Sequence, residues 1–216
     1  MLDLALVLAL STQCAPGVSP RTMAAIAHAE SRFDPLAIGV NGRSAVRQPR
    51  TRDEAINTAR HLIDSGASID LGLAQINSAN LAWLGLTVED TFDPCRNLAA
   101  AATVLRAGFR PASDRVDDRQ HALRVALSRY NTGHPERGFR NGYVARVEAS
   151  GVRLGLSDPT VAVGSGPEGP VEPVMLAAGR SPQAAPPAWD VFARAAVSPA
   201  TAFPPAAQNQ TRSVVP

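Results

Sequence analysis

Lysine is absent from this sequence, so all 21 of its basic residues are arginine. They are nearly balanced by 19 acidic residues, which leaves a net charge of +2. So mild a charge does not require nucleic acid or an anionic membrane as a partner, although it allows binding to a weakly acidic polymer. Aromatic residues are also scarce, at 5%, whereas alanine is abundant. This composition favours helices over a large sheet.

Cysteine and histidine are few and scattered. No Cys-x-x-Cys pair occurs, and the four histidines lack the spacing of metal ligands, so we do not expect a metal site. Cys14 and Cys95 lie towards opposite ends of the expected domain. They are predicted to form one disulfide in an oxidising compartment, and two buried free thiols are the alternative.

The apolar stretch at residues 2–10 is short and is interrupted by Asp3. It cannot span a bilayer, and it lacks the basic residue that normally begins a secretory signal. We therefore interpret it as the first helix of a mature domain. Any export signal is expected to be absent from this chain or to lie upstream of it.

Residues 1–154 show helical periodicity with capping signals, and residues 155–216 do not. The first part is predicted to be one mainly α domain with a small β element, a hairpin between Ala37 and Gln48. The second part is rich in proline, alanine and glycine and is predicted to be a disordered tail, because it cannot bury enough apolar surface to offset its ordering entropy. Within the tail, residues 189–196 place Trp189, Phe192 and Ala193 on one helical face. A docking segment and a chance apolar cluster both account for this pattern.

One predicted helix carries an acid among apolar residues. Ser19 and Pro20 are typical of a helix start, and the helix is expected to run to Phe33. Glu30 shares a face with the apolar residues Met23, Ile26, Ala27 and Phe33. Burial raises the pKa of a carboxyl group, and a glutamic acid that stays protonated near neutral pH is suited to general acid catalysis. The alternative is an ion pair of Glu30 with Arg32 or Arg129.

Three stretches place polar groups where the local pattern predicts apolar ones. They are Glu30-Ser31, the segment Gly72-Leu73-Ala74-Gln75-Ile76 and the helix end Tyr130-Asn131-Thr132-Gly133. Such local violations are expected at functional sites.

In this order and spacing, and with Tyr143-Val144 after them, these motifs resemble the lysozyme-like lytic transglycosylases of the SLT type. They are most similar to the members encoded with type IV secretion and conjugation machinery, especially between Cys14 and Asn41. The resemblance covers roughly residues 4–154 and leaves the tail unmatched. It implies an α-rich, lysozyme-like domain with a saccharide cleft between the Glu30 helix and the Gln75 segment.

The resemblance also implies the chemistry. Glu30 would be the sole acid/base, protonating the glycosidic oxygen between N-acetylmuramic acid and N-acetylglucosamine. It would then accept the proton of the sugar's own 6-hydroxyl as a 1,6-anhydro ring closes. Ordinary glycosidases need a second carboxylate, whereas this reaction does not, and it needs no metal or organic cofactor.

The expected substrate-binding residues are Ser31, Gly72, Gln75, Tyr130, Asn131 and Tyr143. Ser31 and Gln75 would orient the acid or the N-acetyl group. Gly72 would let the backbone approach the sugar, Tyr130 would hydrogen-bond Glu30, and Asn131 would hold sugar or local backbone. Tyr143 lines the cleft or belongs to the core.

The sequence leaves other functions open. One is a peptidoglycan-binding module without catalysis, and another is a hydrolytic muramidase in which Asp70 activates water. A nucleic-acid-binding role is suggested by four arginines at positions 43, 47, 50 and 52, but they lack interleaved aromatic residues and are typical of a solvated loop. We expect a periplasmic protein that opens the wall locally for a transport apparatus, with a tail that permits recruitment of secretion components.

Overall fold

The computed structural model describes residues 1–42, 46–110 and 115–156. This part of the chain is mainly helical and contains one small antiparallel sheet. The helices are α1 (Leu4–Cys14), α2 (Pro20–Ser31), α3 (Arg52–Asp64), α4 (Leu81–Leu84), α5 (Pro94–Gly108), α6 (Val116–Thr132), α7 (Arg137–Arg140) and α8 (Tyr143–Arg153). The strands are β1 (Ile38–Val40), β2 (Ile69–Leu71) and β3 (Ile76–Asn77), and short 3-10 turns occupy Ser78–Asn80 and Glu89–Phe92. No helix in these ranges is both long and apolar enough to cross a membrane.

Side-chain caps mark the starts of helices α2 and α5, as the sequence predicts. The Ser19 hydroxyl accepts a hydrogen bond from the Arg21 N–H at the start of α2, with Pro20 in the first turn. The Asp93 carboxylate does the same for the Arg96 N–H at the start of α5. Each cap satisfies a backbone donor that has no partner within its helix.

Helix α2 is the centre of the larger hydrophobic core. Its residues Met23, Ala24, Ile26 and Ala27 are fully buried, and α1 and α8 pack against it. Because both neighbours are needed to cover this helix, the position of Glu30 near its C-terminal end is fixed by the core of the domain.

The disulfide joins α1 to the start of α5. Cys14 and Cys95 are bonded, with their α-carbons 5.3 Å apart and a sequence separation of 81. In the chain-entropy model, closing a loop of this length stabilises the fold by about 4 kcal/mol.

The predicted hairpin between Ala37 and Gln48 is wrong. Strand β1 lies there, but it pairs with β2, which pairs in turn with β3. The Gln48 side chain occupies the other edge of β1, accepting from the Ile38 N–H at 2.9 Å and donating to the Ile38 carbonyl at 3.0 Å. One amide side chain therefore supplies the hydrogen bonds that a returning strand would have made.

The sheet has two chemically different faces. Ile38, Leu71 and Ile76 occupy adjacent, buried positions on one face. Because side chains alternate along a strand, Asp70 and Asn77 lie on the opposite face. The sheet therefore presents a carboxylate and an amide on the side away from the core.

Residues 157–216 lie outside the described residues. The predicted tail and its Trp189–Ala196 segment fall in this range, so both stay predictions. The last described residue, Leu156, is buried against the core, at 7% exposure.

Candidate active site

Glu30 lies in the last turn of α2 and points towards the start of α8. Its Oε1 accepts a hydrogen bond of 2.6 Å from the hydroxyl of Tyr143. Burial raises the pKa of Glu30 from its ordinary value of 4.5 to about 7, opposed by the Tyr143 hydrogen bond, and the negative charge of Asp70 adds to the rise. The nearby Arg146 guanidinium lowers the Glu30 pKa slightly. Glu30 is therefore able to hold a proton at neutral pH.

The two tyrosines exchange the roles expected of them. Tyr143, at 1% exposure, is the partner of Glu30, whereas the Tyr130 hydroxyl donates to the Ala74 carbonyl at 2.6 Å. Burial raises the pKa of both phenols well above the usual 10. Both therefore remain protonated donors, and the predicted bond between Tyr130 and Glu30 is wrong.

The ion-pair alternative for Glu30 is not what the structure shows. Arg129 donates instead to the Gly108 carbonyl at 2.7 Å, tying α6 to the end of α5. The acid is thus hydrogen-bonded to a neutral hydroxyl rather than paired with a cation.

The side chains of Ser31 and Gln75 donate to backbone carbonyls, and within the described residues neither forms a hydrogen bond with Glu30. The Ser31 hydroxyl donates to the Leu73 carbonyl at 2.6 Å. The Gln75 amide donates to the carbonyls of Ala37 and Gly72. Together these bonds fasten residues 72–75 to α2 and to the entry into β1.

Gly72 is required for packing inside the protein. Its φ is +73°, and a β-carbon there would lie 2.1 Å from the Thr91 carbonyl oxygen. The chain's own backbone therefore excludes a side chain at this position, and the predicted close approach of Gly72 to a sugar stays a prediction.

Asn97 holds backbone segments next to the site in place, a role that we did not predict from the sequence. Its side chain is fully buried, accepts from the Ala74 N–H and donates to the carbonyls of Leu71 and Thr91. The amide therefore satisfies three backbone groups of segments that lack regular pairing there. In the sequence, Asn97 is only a polar residue one turn into α5, and many solvent-exposed asparagines occur in the same pattern.

A polar cleft of about 420 Å³ opens beside Glu30. Residues from α2, the sheet, α4 and α6 line it, among them Glu30, Asp70, Gln75, Asn77, Asn80, Trp83, Tyr130 and Asn131. Of the residues predicted for the site, Glu30, Gln75, Tyr130 and Asn131 thus line the cleft. Ser31, Gly72 and Tyr143 are not among its lining residues.

Asp70 is the second carboxylate of this cleft. Its two oxygens accept from the amides of Asn77, at 2.7 Å, and Asn41, at 3.0 Å. Trp83, 55% exposed, stands at the rim, and its indole N–H donates to Asn80. Its exposure next to polar residues was not anticipated from the sequence, where it appeared only as part of a short helix.

The described residues contain no group of three or more histidine, cysteine, aspartate or glutamate side chains placed to hold a metal ion. The cleft is instead built from hydrogen-bonding side chains around one acid of raised pKa. This donor set suits a neutral, hydroxyl-rich ligand and proton transfer to it.

Comparison with known families gives a match to the transglycosylase SLT domain over residues 8–150. Curated relatives include the protein virB1 of Rhizobium radiobacter, 43% identical over 145 residues, which cover 67% of this chain and 60% of that protein. The type IV secretion system protein virB1 of Brucella suis biovar 1 is 45% identical over 149 residues, covering 66% of this chain and 63% of that protein. The chain thus spans less than two thirds of the length of these relatives. No solved structure matches it.

Proposed function

The chain belongs to the transglycosylase SLT family, and from this premise we propose that it is a peptidoglycan lytic transglycosylase with Glu30 as its single acid/base. The observation that carries the proposal is the geometry of Glu30. This acid has a pKa raised to about 7, opens into a polar cleft, and is fixed by a neutral hydrogen-bond donor.

In the proposed reaction Glu30 first donates a proton and later accepts one. Tyr143 donates to Oε1, which leaves Oε2 to carry the acidic proton. Glu30 gives this proton to the oxygen of the β-1,4 bond between N-acetylmuramic acid and N-acetylglucosamine as that bond breaks. The carboxylate then removes the proton of the muramic acid 6-hydroxyl while that oxygen bonds to C1, and Glu30 is regenerated. The raised pKa suits both transfers, because a group of pKa near the working pH gives and takes protons with similar ease.

A second candidate is hydrolysis with Asp70 activating water. It is favoured by the position of Asp70 in the same cleft and by its electrostatic influence on Glu30. However, both Asp70 oxygens already accept hydrogen bonds from asparagine amides, and these bonds compete with the water that Asp70 would have to hold. Transglycosylation is therefore the preferred proposal.

The biological setting is proposed from the relatives. A relative named for the type IV secretion system supports a role in opening the wall locally for such an apparatus, in the periplasm. The disulfide between Cys14 and Cys95 suits an oxidising compartment. Peptidoglycan strands would be the substrate, and secretion components would be the partners.

Mass spectrometry of the products tests the activity. Purified protein and its Glu30→Gln and Asp70→Asn variants are incubated with peptidoglycan, and the soluble muropeptides are identified. We expect products ending in 1,6-anhydro-muramic acid from the wild type and from Asp70→Asn, and none from Glu30→Gln. Reducing-end products that vanish with Asp70→Asn would establish hydrolysis instead. Wall binding without products from any of the three would favour a binding module.

A further inference from the structure

A second concave surface lies away from the cleft and has a different chemistry. It is a groove of about 350 Å³ between α2, α6 and α8, and it shares no lining residue with the polar cleft. Its apolar lining comes from Ala25, Leu123, Leu127, Val147, Val152 and Leu156. Val152 is 66% exposed, so the groove presents apolar surface to solvent. Burying this surface under an occupant would be favourable in free energy.

The chain itself leaves the described domain through this groove. Helix α8 ends with Gly155 in the left-handed conformation, and the Leu156 N–H donates to the Gly151 carbonyl at 2.9 Å. This turn places the Leu156 side chain in the groove, at 7% exposure. The following residues, from 157 onwards, therefore start at the groove.

We propose that residues 189–196 of the same chain occupy this groove. Trp189, Phe192, Ala193 and Ala196 recur at helical spacing, so a helix here would present one apolar face, as helices bound in grooves do. Trp189 is the one tryptophan beyond residue 156, and it adds a large aromatic body to this apolar face. Another apolar stretch of this region, residues 174–176, has no aromatic residue and follows Pro173 directly.

The connecting chain is long enough to allow this contact. Roughly thirty residues separate Leu156 from Trp189, and a flexible linker of that length has an r.m.s. span of about 30 Å. Such a tether gives an effective concentration in the millimolar range. Even a weak contact of the segment with the groove is therefore populated in the intact chain.

Tryptophan fluorescence tests the proposal in the full-length protein. The Trp83→Phe variant leaves Trp189 as the only tryptophan. We expect blue-shifted emission and acrylamide quenching several-fold weaker than for a free peptide of residues 185–200. Adding Val152→Asp, at an exposed position of the groove, is expected to restore solvent-like emission and quenching. Val174→Asp is the matched control and is expected to leave both readings unchanged.

Three outcomes would overturn the proposal. The first is solvent-like emission of Trp189 in the Trp83→Phe chain. The second is protected emission that Val152→Asp leaves unaltered, since the segment would then lie elsewhere. The third is protection that grows with protein concentration, which would place a second copy of the chain in the groove. Because no reading depends on catalysis, the result is independent of the proposed activity.

Discussion

Removing one hydroxyl group should shift the pH range of activity upwards. In Tyr143→Phe the ring keeps its buried position, at 1% exposure, but the hydrogen bond of 2.6 Å to Glu30 is lost. That bond lowers the Glu30 pKa, because it favours the charged carboxylate. A hydrogen bond to a charged group contributes roughly 1.5–3 kcal/mol, and one pKa unit corresponds to about 1.4 kcal/mol. The pKa of Glu30 should therefore rise by about one to two units above its value of about 7.

The sign follows from the proposed role of Glu30. The first step needs the protonated acid, so activity falls as pH rises through the Glu30 pKa, and Tyr143→Phe should move this alkaline limb to higher pH. The assay is the pH profile of kcat/KM for release of soluble muropeptides. Tyr130→Phe is the matched control, since it removes an equally short bond to the Ala74 carbonyl and should leave the limb nearly in place. A limb that stays fixed in Tyr143→Phe, or moves to lower pH, would refute the assignment of Glu30 as the titrating acid.

Four further perturbations test the architecture around the acid. Asn97→Ala removes a fully buried amide that serves three backbone groups and should cost about 3 kcal/mol in urea unfolding; a loss below that of an exposed alanine substitution would contradict this. In Gly72→Ala the added β-carbon would lie 2.1 Å from a backbone oxygen. The free energy of unfolding should therefore fall by more than the roughly 1 kcal/mol typical of strained backbone alone. Gly66→Ala, also at positive φ but in open space, is its control. Replacing Cys14 and Cys95 by serine should lower the free energy of unfolding by about 4 kcal/mol, and an unchanged midpoint would show that the bond does not form. Because burial raises the Glu30 pKa from 4.5 to about 7, ionising Glu30 destabilises the folded protein. Glu30→Gln removes this charge and should therefore stabilise the fold increasingly from pH 4.5 to above 7, by up to about 3 kcal/mol relative to the wild type. Equal pH dependence of unfolding in both proteins would count against the raised pKa.

The features that local chemistry determines could be predicted from the sequence. Ser19 and Asp93 start their helices because a side-chain oxygen within two or three residues satisfies a free N–H. Glu30 was found because a carboxylic acid among apolar positions of one helix face contradicts the pattern around it. Such features depend on neighbours along the chain, and those neighbours are visible in the sequence.

The pairing of β1 depended on distant residues and was predicted wrongly. Asn41 and Gly42 signal a turn that would return the chain on itself, and the strand that actually pairs with β1 lies about thirty residues further on. The local competitor is the Gln48 side chain, which bonds both backbone groups of Ile38. A side chain that takes the place of a strand gives no periodic signal, so sequence alone could not distinguish the two.

The exchanged roles of the two tyrosines have the same origin and explain how the acid is tuned. Tyr130 lies near the end of α6, whereas Tyr143 begins α8, and both lie close enough to Glu30 for its charge to raise their pKa. Which hydroxyl reaches the carboxyl is decided by α8, which packs along α2. Tyr130 instead fastens the segment that contains Ala74. One tyrosine thus moderates the pKa of the acid while the other holds the opposite wall of the cleft. Since desolvation alone would raise the pKa of Glu30 beyond about 7, the buried Tyr143 hydroxyl keeps the acid within reach of both halves of the proposed proton cycle.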